Sequence, residues 1–146
     1  ENILDWQIQN ELDRLSKINN LDLNNKFITS LNHMFSESNK SVSLNNKFEL
    51  EFKFNNEILN FPQLSSGERQ VIYILLKVAI ATKDNALILM DEPEISLHLS
   101  WQEKLLAQIR EINPNSQIII VTHSPAIVMN GWLDCFVDIQ DIIVKG

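Results

Sequence analysis

Glycine is scarce in this chain, with three residues among 146, and cysteine is rarer still, with one. Three glycines cannot build a glycine-rich phosphate cradle, and no stretch of the form G-x-x-x-x-G-K-[ST] occurs. The lone thiol, Cys135, cannot close an internal disulfide, which suits a reducing compartment. Positive charge is also short: 12 Lys+Arg face 19 Asp+Glu, a net charge of -7. That balance argues against a surface dominated by a nucleic-acid footprint, although a local basic patch remains compatible with it. The longest apolar stretch, VIYILLKVAIA at 71–81, is interrupted by Lys77 and falls short of the roughly 20 residues that span a bilayer. No basic-then-apolar leader opens the sequence. These absences together lead us to expect a cytoplasmic protein with no membrane partner. What is present is ordinary in bulk: 45% hydrophobic and 21% charged, in a chain long enough for one domain with its own core.

The most informative segment is ALILMDEPE at 86–94. A continuous apolar run of this length, bounded by turn residues, predicts a strand buried on both faces, as in parallel sheets. Ligand sites of open α/β sheets lie outside the carboxyl ends of such strands. Asp91 and Glu92 stand at that end. Asp91 has the oxygen donors that a hard cation such as Mg²⁺ requires, and Glu92 can orient or deprotonate a water. An exposed acidic loop following a core strand would look the same.

The chain before this segment alternates patterns. Leu4, Ile8, Leu12, Leu15 and Ile18 fall at helical spacing, as do Phe27, Ile28, Leu31, Met34 and Phe35. His33 flanks the second apolar face and reads as a surface or packing residue with no assigned role. Residues 36–41 read as a loop. From 48 to 54, Phe48, Leu50, Phe52 and Phe54 alternate with charged residues, which predicts a half-buried strand. Asn55-Asn56 tolerates positive φ and predicts a hairpin turn, with Glu57 to Phe61 returning and Pro62 stopping the strand. Ser65 and Glu68 have the spacing of a capping box, ahead of a helix at about 68–82 that is apolar on nearly all sides.

After Glu94, Trp101, Leu105, Ile109 and Ile112 mark another helix, ended by Pro114. Gln117 to Val121 predicts a second apolar strand, closing in Thr122-His123-Ser124-Pro125. Ser124 has the look of an N-cap with Pro125 at N1, and Gly131 soon closes that helix. Residues 135–139 and 142–144 are candidate final strands. Strand, helix, strand, helix, strand implies parallel crossovers in an α/β layer.

Four motifs in this order resemble one family. LSSGE at 64–68, ALILMDEP at 86–93, ISLH at 95–98 and VTHSP at 121–125 are similar to the signature, Walker B, D-loop and switch-histidine elements of ABC-type ATPase heads. The likeness is to the soluble RecF/SMC/OLD-like branch and covers about 48–144. It implies an α/β fold: the C-terminal lobe of an ABC-type P-loop NTPase, parallel strands with flanking helices, plus an N-terminal helical segment (1–40) and a β-hairpin within the lobe (41–146). It also implies ATP and Mg²⁺ as cofactors. By position, Asp91 would hold Mg²⁺, Glu92 would be the general base, and His123 would meet the γ-phosphate or the attacking water. Leu64, Ser65, Ser66, Gly67 and Glu68 would meet the phosphate of ATP held by a second protomer. A helix N-terminus carries about half a positive charge and suits that role. Two departures stand out: Ser66 lies where the family more often has Gly, and His98 where many relatives have Asp.

The family's Walker A loop is missing from these residues, and with it most nucleotide contacts. The expectation is therefore a C-terminal lobe, either a fragment or one half of a split head, that is inactive alone. It would be completed by an N-terminal Walker A lobe and would work as a homodimer of heads. The output the resemblance implies is DNA repair, chromosome handling or phage defence, with DNA or an effector nuclease as further partner. A non-catalytic scaffold keeping the fold, and a transporter nucleotide-binding domain, are the alternatives.

Overall fold

Two asparagines start the first two helices in the same way. Asn2 and Asn20 are extended, and their side chains accept the amides of Leu4 and Leu23, capping α1 (Ile3–Ile18) and α2 (Leu21–Met34). In the computed structural model, which describes residues 2–59 and 63–144, these helices lead into a three-stranded antiparallel sheet: β1 (Lys40–Leu44), β2 (Leu50–Phe54) and β3 (Glu57–Leu59). The β2–β3 turn is Asn55-Asn56, both at positive φ (48° and 67°), as their side chains permit. The predicted return strand is present up to Leu59; its remainder, Asn60 to Pro62, lies outside the described residues.

Strand β1 is not the loop expected at 36–41. KSVSL has two apolar positions facing inward, the buried Val42 and the partly buried Leu44, separated by serine, so its sequence carries a short strand signal. Contacts with other elements hold it. It pairs with β2 from Lys40↔Phe54 to Leu44↔Leu50. The Asn32 amide of α2 donates to the Val42 carbonyl (2.8 Å) and accepts the Val42 N–H (2.8 Å). At the start of the expected 48–54 strand, Phe48 instead sits in a turn at φ 61°.

The centre of the molecule is α3 (Ser66–Ala81). Val71, Ile72, Leu75, Leu76, Val78 and Ala79 are all buried, as an all-round apolar helix requires. Ile8, Leu12 and Leu15 of α1 and Phe27, Leu31 and Met34 of α2 complete one continuous core with them. Each such side chain contributes roughly 1.5–3 kcal/mol when withdrawn from water.

The chain then forms β4 (Ile88–Asp91), α4 (Leu99–Ile112) and β5 (Ile118–Val121). Trp101, Leu105, Ile109 and Ile112 turn inward together, and the Phe35 ring stands 5.6 Å from that of Trp101. After α4, the buried Asn113 side chain bonds the Val78 carbonyl (3.2 Å) and the Ser116 hydroxyl (2.9 Å), steering the chain into β5. β4 and β5 pair in parallel, in register from Ile88↔Ile118 to Asp91↔Val121.

Two expectations are corrected. The 86–90 strand is covered on one face only: Ile88 is buried, while Leu87 (53%), Leu89 (66%), Ile119 (47%) and Val121 (52%) are open. Among the described residues no layer covers the outer face of this two-stranded sheet, so a sequence suited to double burial is only half buried. The candidate strands at 135–139 and 142–144 are also not strands. Leu133–Cys135 forms a 3-10 turn and Ile139–Ile142 a short helix, α5. Asp138 accepts the Gln140 N–H as its cap, a local bond that competes with a sheet ladder.

Candidate active site

Parallel pairing brings the carboxyl ends of β4 and β5 to one place, which is why Glu92 and His123, distant in sequence, meet. Glu92 continues the ladder by donating its N–H to the Val121 carbonyl at 2.7 Å, then turns sharply at φ 47°. A non-glycine residue there is strained. The turn aims the Glu92 carboxylate across the strand ends, where Oε1 lies 3.0 Å from Nε2 of His123. The imidazole is 85% exposed and the Glu92 side chain 38%, so both can reach an incoming molecule. Asp91, one residue earlier, is exposed and has no hydrogen bond or ion pair among the described residues. An unpaired carboxylate at a strand end fits a hydrated Mg²⁺ shared with nucleotide phosphates, since Mg²⁺ takes one or two carboxylates besides phosphate and water. Among the described residues no group of three His, Cys, Asp or Glu is placed to hold a metal by itself.

The loop after Glu92 is held by two turns: Ile95 N–H to the Glu92 carbonyl (3.3 Å) and Leu97 N–H to the Glu94 carbonyl (2.9 Å). Glu94 Oε1 accepts the backbone N–H of His123 at 3.0 Å. Burial raises the Glu94 carboxyl, but the Thr122 hydroxyl and the N–H groups of Glu94 and His123 outweigh it and hold the pKa below the ordinary glutamate value. His98 precedes α4 without capping it, and its ring packs edge-on against Trp101 (5.1 Å). Ser124 does not act as a side-chain cap either. Its hydroxyl bonds Gln102 Oε1, and the expected helix is a single 3-10 turn, Pro125–Ile127.

The signature-like loop has the expected capping box. Ser65 Oγ accepts the Glu68 N–H (3.1 Å), and Glu68 Oε1 accepts the Ser65 N–H (2.8 Å). Its five residues divide by direction. Ser65 and Ser66 are exposed at the helix start. Leu64 is buried, and its carbonyl accepts from Arg69, which also pairs with Asp5. The Glu68 carboxylate is buried and takes both Lys40 Nζ bonds, at 2.8 and 2.6 Å. Gly67 is also buried: a Cβ there would run into the Ser96 carbonyl, so the backbone it admits is that of its own chain's loop. Among the described residues no hydrogen bond or ion pair joins Ser65 or Ser66 to Asp91, Glu92 or His123. Lys40 and Gln102 were invisible to sequence reading because their partners lie 28 and 22 positions away.

A family described as "AAA domain, putative AbiEii toxin, Type IV TA system" matches residues 1–130. The Septu protein PtuA of Bacillus thuringiensis is 37% identical over 94 residues, 56% of this chain and 24% of that protein. The DNA double-strand break repair Rad50 ATPase of Methanocaldococcus jannaschii is 34% identical over 103 residues, 64% of this chain and 10% of that protein. The chain therefore spans about a quarter or less of these relatives. In fold it is similar to an SmcHead solved with the C-winged helix domain of ScpA, with a TM-score of 0.58 and 20% identity over 74% of this chain and 36% of that one. The fold is thus similar to that of part of an SMC head, and the described residues contain no helix long and apolar enough to cross a membrane.

Proposed function

The chain belongs to the AAA-domain family named above, and from that premise we infer that it is the signature and Walker B half of a dimerising ATP-hydrolysing head. The single observation that carries the reading is the 3.0 Å approach of Glu92 Oε1 to His123 Nε2 at paired strand ends. Bound Mg²⁺–ATP would supply the reactive γ-phosphate. Asp91 would share the hydrated cation. Glu92 would accept the proton of the attacking water. His123, held beside it, would hydrogen-bond that water or the phosphate. Ser65, Ser66 and the free N–H groups of α3 would meet the phosphate of the neighbouring protomer's nucleotide, leaving Leu64, Gly67 and Glu68 to shape the loop from within.

Such a head needs a phosphate loop, so a Walker A lobe, on the same chain or a separate one, is the proposed partner, with the outer face of β4–β5 as its seat. Leu89 and Ile119 are direct cross-strand neighbours on that open face. Residues 1–40 would support α3 as a helical segment, with 41–146 as the catalytic lobe. ATP would favour the closed homodimer, with output to DNA repair, chromosome handling or phage defence through DNA or an effector nuclease.

The test is Glu92→Gln in the head assembled with its Walker A lobe. Hydrolysis is expected to fall by at least about 100-fold, the lower bound for losing a general base, with an ATP-dependent dimer persisting in light scattering. An unchanged rate would overturn the reading of Glu92 as the base, and absence of turnover in the wild-type head would identify a scaffold. The chain by itself is expected to show no turnover.

A further inference from the structure

Among the bonds that join the end of β5 to the loop after β4 in the described residues, three bear on His123. Two involve Glu92: its N–H to the Val121 carbonyl (2.7 Å) and its carboxylate to the His123 ring (3.0 Å). The third does not. Glu94 reaches across 29 positions to accept the N–H of His123 itself (3.0 Å). This bond fixes the peptide from which the imidazole projects. Among the described residues the ring has one polar partner, Glu92, and it is otherwise open to solvent. An exposed histidine beyond a strand end samples several rotamers unless its backbone is set.

The following residue is pinned to the same loop. The Ser124 hydroxyl bonds Gln102 Oε1, and Gln102 Nε2 donates to the Leu97 carbonyl at 3.0 Å. Both sides of His123 are thus tied to residues 94–97 and the first turn of α4.

We propose that Glu94 is a positioning residue: by accepting the His123 N–H it sets the backbone that presents the imidazole to Glu92. The proposal rests on reading Glu92 and His123 as the hydrolytic pair, but its structural half stands apart from catalysis. A charged acceptor suits the task, because N–H···O⁻ bonds are about twice as strong as neutral ones. The carboxyl, held below its ordinary value, stays ionised for it and is correspondingly a weaker base than an unshifted glutamate.

Glu94→Ala and Glu94→Gln are compared by amide exchange and 15N NMR in the chain, and by ATP turnover in the head assembled with its Walker A lobe. Ala removes the acceptor; Gln keeps an oxygen at the same reach. In Ala, the His123 amide is expected to exchange at least about tenfold faster, the equivalent of one charge-assisted bond, and the ring's nuclear Overhauser contact with Glu92 should vanish. The amides of 118–121 should keep their protection, which reports an intact fold. Gln should restore the His123 amide. In turnover, Ala should lower kcat by about tenfold with KM for ATP unchanged, and His123→Ala combined with Glu94→Ala should be no slower than His123→Ala alone. An unchanged His123 amide in Glu94→Ala, or fully additive losses, overturns the proposal. Should Ala unfold the chain, the Gln variant decides: a His123 amide that moves to the exposed-loop rate despite the retained oxygen also overturns it. A wild-type head without turnover would remove the functional premise alone, since the amide comparison is read without ATP.

Discussion

Lys40 Nζ sits 2.6 and 2.8 Å from the two carboxylate oxygens of Glu68, joining the first residue of β1 to the first turn of α3. The Glu68 side chain is 4% exposed and that of Lys40 is 20%. One carboxylate therefore serves two structures, the helix cap and the strand anchor.

Removing the lysine alone leaves that carboxylate buried and unpaired. Lys40→Met is expected to cost about 3 kcal/mol in urea unfolding, the low end for breaking a buried pair, because Lys40 is partly solvated. Adding Glu68→Gln should recover part of the loss, since the amide can still accept the Ser65 N–H without a charge to desolvate. A double-mutant cycle measures the coupling.

Acid should loosen the same junction. Burial raises the Glu68 carboxyl, but the Lys40 ammonium and the Ser65 N–H and hydroxyl more than offset it, so its folded pKa lies below the ordinary value. The stability it adds is fully present above the unfolded value of about 4.3 and is lost as pH falls through the folded one. Glu94, lowered by its own partners, acts in the same direction. Urea midpoints of the wild-type chain should fall below about pH 4.3, and those of Lys40→Met should depend less on pH in that range.

Gly67→Ala places a methyl group against the Ser96 carbonyl. Backbone cannot swing aside as a flexible side chain can. Thermal unfolding should show a loss of about 1–3 kcal/mol, the usual cost of overpacking, although alanine is the better helix former. Methyl probes at Ile95 and Leu97 should report the displaced loop.

The open face of β4–β5 predicts a dissociation between stability and assembly. Leu89→Lys and Ile119→Lys change exposed side chains, and each should alter the stability of the chain by less than about 0.5 kcal/mol. Binding to a Walker A lobe, followed by calorimetry, should weaken by at least about tenfold per lysine if this face is the seat, because each charge would be carried into an apolar contact.

Sequence reading succeeded where the signal was local. The Ser65/Glu68 box, the apolar stripe of α4, the Asn55-Asn56 turn and the parallel β4–β5 pair all follow from spacings of a few residues or from short apolar runs. It failed where a partner was distant or missing. β1 depends on distant partners, Asn32, β2 and Glu68, which a local pattern does not display. The apolar residues at 135–139 and 142–144 suggested strands, yet Phe136, Val137 and Ile143 are exposed and these segments take up turns and a short helix instead. The 86–90 run has the composition of a doubly covered strand, and the described residues cover one side. The proposed roles of Asp91, Glu92 and His123 came from motif order; the structure adds that Glu92 and His123 meet, and that Glu94 accepts the N–H of the second of them.

The left-handed turn at Glu92 carries one further consequence. At φ 47° glycine or asparagine would sit with less strain than glutamate, and a β-branched residue would sit worst of all. Replacement of Glu92 by asparagine should thus stabilise the chain while removing the carboxylate on which the proposed chemistry depends.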